Sequence, residues 1–337
     1  MDGTTLPIPA AVQIPNVNTD IEPTVMTAYR LCYDEEQRLL LLQNRRTDKP
    51  LIHIRILGWM FVYNLGIRML IKLAEAVTSC RGIDGAYDQL GQFYLDYWIR
   101  PFRIRARTPY SSHPSRPAFE AAAVDLTAVL KEPELDHSGA KALALERDGY
   151  CCVLTGVFDR TSIRVPELRA LYDRGKPKMY TECTNIFSKS TNGCINDEAK
   201  RLYAGRAWAV LESFGYGDML NELGGSGVYH LENILTLEVN CYNAFNDLAL
   251  WLEPTVTSVT FTDHARPEYR GQIPLPSKRY LRVHAACCGV AAMSGAGEYL
   301  DKVMQDQKSI DVLSADGGSS DVAVNAVWKA FYHSMSE

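Results

Sequence analysis

The stretch ILGWMFVYNLGIRMLI, residues 56–71, sets the first constraint on this chain. It is almost wholly apolar, so it has to be buried, either in a membrane or in a protein core. A spanning helix needs about 20 consecutive apolar residues. This run falls short and is interrupted by Asn64 and Arg68. The reading is therefore a core helix, with no membrane as partner.

The rest of the chain can supply such a core. It has 337 residues, 47% hydrophobic and 22% charged, an ordinary globular composition. That length fits one large domain or two closely packed ones. The expected fold class is α+β, mostly helical with small β-sheet elements. A break near residue 136, in KEPELDHSG, divides an N-terminal α+β region, 1–135, from a second unit, 136–337.

The formal net charge is −5 and the pI about 5.9. That sign opposes binding to a phosphate backbone, so nucleic acid is an unexpected partner. The dense basic stretch lies in the proline-rich segment 100–120, with Arg100, Arg103, Arg105, Arg107 and Arg116. It reads as a connector whose arginines tie down carbonyls and acidic neighbours, with an anion contact as the alternative. The nine cysteines form no CxxC pair, which argues for reduced thiols and against a zinc knuckle or disulfide framework. The first residues, MDGTTLPIPAAVQIPNVNTDIEP, lack a basic and apolar leader and read as an extended, proline-broken arm. A cytoplasmic location is expected.

Apolar spacing predicts strands at 24–33 and 37–43, joined by a DEE turn, and helices over 57–79 and 84–99. Further helices are expected at 117–131 and 137–148, the latter stopped by Gly149. A short strand in YCCVLTG, a helix at 166–173 and a strand at 179–187 follow. Next come a helix at 196–215, a flexible GGSGV turn at 224–228, a strand at 231–237 and a helix over most of 238–252. The tail suggests strands at 256–262, 268–273 and 279–286, a mobile loop at 314–320, and helices near 295–307 and 321–332.

Four pieces carry a resemblance: RDGYCCVLTG (147–156), TECTNIFSKSTN (181–192), ENILTLEVNCYNAF (232–245) and LALWLEP (248–254). In order and spacing, 147–254 resembles the HNH nuclease-like family in its fungal form. Members open on Cys-Val-Thr-Gly and continue with a strand in which a small residue and a histidine precede an Ile–Ile/Phe pair. An asparagine then precedes a Leu-Thr-Leu strand, and a histidine stands three residues ahead of a phenylalanine. The resemblance implies a β-hairpin and a following helix that grip one divalent cation. The strand histidine would be the general base, the helix histidine a metal ligand, and the asparagine the group that orients the base.

The departures decide the expected chemistry. Asn185 stands at the base position, Thr184 at the adjoining metal-side position and Tyr242 at the helix histidine; Asn233 is retained. An amide has no proton-accepting nitrogen near neutral pH, and a neutral phenol is a poor ligand beside imidazole or carboxylate. Metal-assisted hydrolysis loses its water activator and its Lewis acid. No metal and no cofactor are expected. His230 is the one nearby imidazole, and with Glu232 or Glu238 it would make a thin metal site.

A neutral cleft suits an apolar small molecule carrying a carbonyl. Tyr242 and Asn185 are the candidate catalytic donors, with Asn233 and His230 positioning them. Tyr180, Cys183, Thr184, Phe187, Trp208, Phe245 and Trp251 are the candidate walls, although aromatics at helical spacing are core residues first. The expected function is a metal-independent step in fungal secondary metabolism, a pericyclic (Diels–Alder-type) cyclisation or an isomerisation. The alternatives are a metal-dependent HNH endonuclease and a catalytically silent interaction protein.

Overall fold

A computed structural model describes residues 3–42, 48–103, 130, 134–172, 175, 177–188, 198–253 and 261–303. The expected helices at 117–131 and 321–332, the strand at 256–262 and the loop at 314–320 lie wholly or almost wholly outside these residues. Arg105, Arg107 and Arg116 lie outside them too. The protein is mostly helical with small sheets, an α+β arrangement.

The chain opens with a correction. Residues 24–42 form no strand pair; Glu22–Leu41 is one helix, α1. Its buried residues, Val25, Ala28, Tyr29, Cys32, Glu36 and Leu39, recur at three- and four-residue steps, which is a helical stripe. The misreading came from taking the acidic triplet 34–36 for a turn. Glu36 instead points into the core, where Oε1 accepts from Arg55 Nε at 2.6 Å and Oε2 accepts from the Leu6 amide at 2.9 Å. That second bond fixes the N-terminal arm. Tyr29 Oη and Trp59 Nε1 donate to the carbonyls of Pro7 and Thr4. Gly58 permits the close approach: a Cβ there would lie 2.4 Å from the Leu6 side chain.

The expected helix 57–79 is two helices, α2 (Asp48–Val62) and α3 (Ile67–Ser79). Asn64 makes the break. Its Nδ2 donates to the Phe61 and Pro15 carbonyls and its Oδ1 accepts from the Gly66 amide, with Gly66 at φ 129°. Among the described residues no helix is long and apolar enough to cross a membrane. Helix α4 (Ala86–Tyr94) runs on as a π-helical turn, Leu95–Ile99. Beyond it Arg100 pairs with Asp96 at 2.9 Å, and Arg103 pairs with Asp301 and donates to the Gly297 carbonyl.

Helix α5 (His137–Arg147) is capped by Asp136, whose side chain accepts from the Gly139 amide. The YCCVLTG segment is a tight turn carrying a single bridge, Cys151 to Phe158, and not a strand. Two short strands, β1 (Phe158–Asp159) and β2 (Lys178–Met179), pair in parallel, flanking the single-turn helix α6 (Pro166–Arg169). Strands β3 (Thr181–Asn185) and β4 (Ile234–Glu238) pair antiparallel, with Thr181 opposite Glu238 and Asn185 opposite Ile234. Between them run α7 (Glu198–Ser213), α8 (Asp218–Leu223) and the 3-10 turns Gly225–Tyr229 and Leu231–Asn233. The GGSGV turn is a packed feature, with Gly227 and Val228 buried. Helix α9 (Val239–Asn246) follows β4 directly and stops before Leu248, which has φ 60°.

Two expected tail strands are also corrected. Residues 268–273 are turns, and 279–286 lie in α10 (Lys278–Ser294), capped by Ser277. This helix is buried on nearly every side, so its apolar run has no clear period, and such runs read equally as strand. One buried cluster extends from Leu6 to Leu300 and draws on both sides of residue 136.

Within it His284 stacks on Phe245, ring centroids 3.9 Å apart and 5° from parallel. Burial pushes this imidazole down to about 3 from its ordinary 6.5. The unfolded chain takes up that proton below about pH 6.5 and the folded chain does not until about 3. Stability is complete above that window and falls as pH drops through it, by up to ~1.4 kcal/mol per pH unit. Urea unfolding at stepped pH should show this acid loss, and His284→Leu should flatten it; parallel curves for the two proteins would refute the assignment.

Candidate functional site

Strand alternation decides which candidate residues meet. Side chains of neighbouring residues in β3 point to opposite faces. On one face Thr184 Oγ1 donates to Asn246 Oδ1 of α9 at 3.2 Å. Leu235 and Leu237 cluster there with Tyr242 and Phe245. On the other face Cys183 and Ile234 pack with Ala140, Leu143 and Ala144 of α5. Asn185 belongs to that second face. Asn185 and Tyr242, grouped in one cleft from sequence, are thus separated by the hairpin.

The two asparagines have structural partners. Asn185 Nδ2 donates to the Val228 carbonyl at 2.6 Å. Asn233 is fully buried. Its Oδ1 accepts from the Phe187 amide at 2.8 Å, and its Nδ2 donates to the carbonyls of Phe187 (3.0 Å) and Val228 (2.9 Å). The side chain thereby pairs with the backbone of β3's continuation as one more rung of the ladder would. His230 is an exposed turn residue whose backbone carbonyl accepts from the Asn233 amide. Glu238, the other ligand weighed beside it, caps α9 by accepting from the Asn240 and Cys241 amides. Among the described residues no group of three or more His, Cys, Asp or Glu could hold a metal ion.

The proposed walls divide as well. Phe187 lies parallel to Trp208 at 6.1 Å and meets Phe102 edge-on at 4.8 Å, deep in the main core. Phe245 is committed to His284. Trp251 is half-buried and donates outward to Glu253, and the Tyr180 ring lies under the Arg160 guanidinium.

What does gather between hairpin and helix is a neutral cluster of Thr184, Tyr242 and Asn246. All three are at least nine-tenths buried. The sequence reading missed Asn246. Its signal was the i, i+4 spacing from Tyr242, which puts both on one helix face. Burial raises the Tyr242 phenol pKa and the Glu182 carboxylate adds to the rise, while the Asn246 amide opposes it. The phenol therefore stays protonated at neutral pH and is a donor. The Asn246 side-chain amide lies beside the Tyr242 hydroxyl on which it acts. Glu182 leans toward Lys141, 3.9 Å away.

Two cavities are evident elsewhere, and none of the candidate site residues lines either. One, of about 580 Å³, lies between the turn 149–158 and the segment 261–270. The other, of about 540 Å³, lies between α1 and the 82–88 turn. No family model, curated protein or solved structure matches this chain.

Proposed function

We propose that this chain is a metal-independent, non-nucleolytic protein of small-molecule metabolism, in which a degenerate HNH-type hairpin and helix serve as framework. The observation that carries this reading is the commitment of both asparagine amides to backbone. Asn185 closes on Val228, and Asn233 on Phe187 and Val228. A base-orienting asparagine would need a free amide facing a base, and Asn233 has both of its polar atoms engaged. At the place where a cation would sit, Thr184, Tyr242 and Asn246 offer neutral groups and Glu182 a single carboxylate that leans to Lys141, a weak set for a divalent ion. The acidic net charge supports the same reading.

Purified full-length protein should leave supercoiled plasmid intact with Mg, Mn, Zn or Ni. Nicking that disappears in His230→Ala would overturn the proposal.

One observation favours a cyclisation or isomerisation role for the cluster itself. The protonated Tyr242 phenol and the Asn246 amide beside it are neutral groups in one dry place, the kind of groups that polarise a carbonyl. On this reading Tyr242→Phe lowers turnover about tenfold or more, since a hydrogen bond in a dry site is worth roughly 1–3 kcal/mol. Unchanged turnover removes Tyr242 from the chemistry.

A further inference from the structure

The larger cavity has a charge pattern that selects its occupant. One wall is the end of α5 and the turn after it, with Glu146, Asp148 and Tyr150; the other is the segment carrying Arg266 and Arg270. Glu146 is almost fully buried. It accepts from the Tyr150 hydroxyl at 2.7 Å, from the Arg266 amide at 2.8 Å and from Arg266 Nε at 3.0 and 3.1 Å. That carboxylate and that guanidinium cancel. Asp148 is cancelled in turn by Arg147, through bonds of 2.7 and 2.9 Å. Arg270 is left over. It is exposed, its Nη2 reaches only the Ala265 carbonyl at 3.4 Å, and among the described residues no carboxylate pairs with it.

The remaining lining is mixed: Thr262 and His264 are polar, and the rest is largely apolar. Val153, Phe158, Leu171, Phe261 and Pro267 contribute, and Leu171 is 47% exposed at the rim. The turn is also held in an unfavourable backbone shape. Gly149 and Tyr150 are consecutive left-handed residues, at φ 62° and 58°. A bulky aromatic rarely adopts that conformation, and such strain concentrates at binding and catalytic sites. The bonds from the Tyr150 hydroxyl to Glu146, from its amide to Leu145 and from the Asp159 amide to its carbonyl hold it there.

We infer that this cavity binds a small organic monoanion, an apolar body bearing one carboxylate, with Arg270 as the anchor for the charge. The neighbouring charges are paired with each other, which leaves Arg270 as the arginine open to one carboxylate, while the apolar side chains take the body. The inference stands on this cavity and makes no use of the hairpin.

Fluorescence titration of the full chain with 1-pyrenebutyrate and with uncharged 1-pyrenebutanol tests it. The wild type should bind the carboxylate at least tenfold more tightly than the alcohol. Arg270→Gln should abolish that preference while leaving alcohol binding unchanged. Val153→Trp, which fills the cavity, should weaken both probes. If Val153→Trp does not fold, the Arg270→Gln comparison decides alone. Failure of the wild type to bind the carboxylate, a carboxylate preference unchanged in Arg270→Gln, or binding of both probes unaffected in a folded Val153→Trp would each overturn the assignment.

Discussion

Arg147→Ala is expected to destabilise the fold by about 3–5 kcal/mol, the cost of breaking a buried ion pair by removing one partner. Arg147 is completely buried. Its Nε and Nη2 bind the two oxygens of Asp148, and its remaining donors reach the carbonyls of Leu231, Ile234 and Pro274. One guanidinium thus joins α5 to the start of β4 and to the segment leading into α10. Truncation leaves the buried Asp148 carboxylate and three carbonyls without this donor. Arg147→Lys keeps the charge but not the planar fork, so it should recover only part of the loss. Urea unfolding should show a lower midpoint at unchanged slope. A loss below ~1 kcal/mol would mean that water replaces the guanidinium.

The second large effect concerns Asn233. Asn233→Ala removes the partners of the Phe187 amide and carbonyl, both tied to a fully buried side chain. Each unsatisfied buried group costs roughly 1–3 kcal/mol, so a loss of about 2–4 kcal/mol is expected. Asn185→Ala should cost about 1 kcal/mol or less, because Val228 keeps its bond from Asn233 and the Asn185 side chain is only half-buried. That asymmetry separates framework from catalysis. Were Asn233 an orienting group in an active site, its truncation would reduce activity with little effect on the unfolding midpoint.

Much of the fold was readable from sequence where period and punctuation agree. Helix α5 announces itself by Asp136 before it and Gly149 after it, and β4 by a short apolar run. Helix α1 was hidden because Glu36 is a buried charge, a partnership with Arg55 that lies 19 positions away and leaves no local mark. Helix α10 was hidden by burial on all sides, which erases the helical stripe. The separation of Asn185 from Tyr242 had a reason that was available in the sequence. Thr184 and Asn185 are neighbours in a strand, so only one of them can face Tyr242. Applied at the outset, that rule would have placed Thr184 with Tyr242, and helical spacing would have added Asn246. The destination of the asparagine amides could not be anticipated, because Val228 and Phe187 are brought to them by the intervening α7, α8 and 3-10 turns.

On the proposed reading, the groups between the β3–β4 hairpin and α9 are too few in charge and in ligating side chains to hold a divalent cation. Equilibrium dialysis of the full-length protein against Mg, Mn, Zn and Ni, followed by elemental analysis, tests it most directly. No stoichiometric metal is expected from any of the four, and no difference between wild type and Thr184→Ala or Tyr242→Phe. One equivalent of a divalent ion per chain, lost on either substitution, would contradict it.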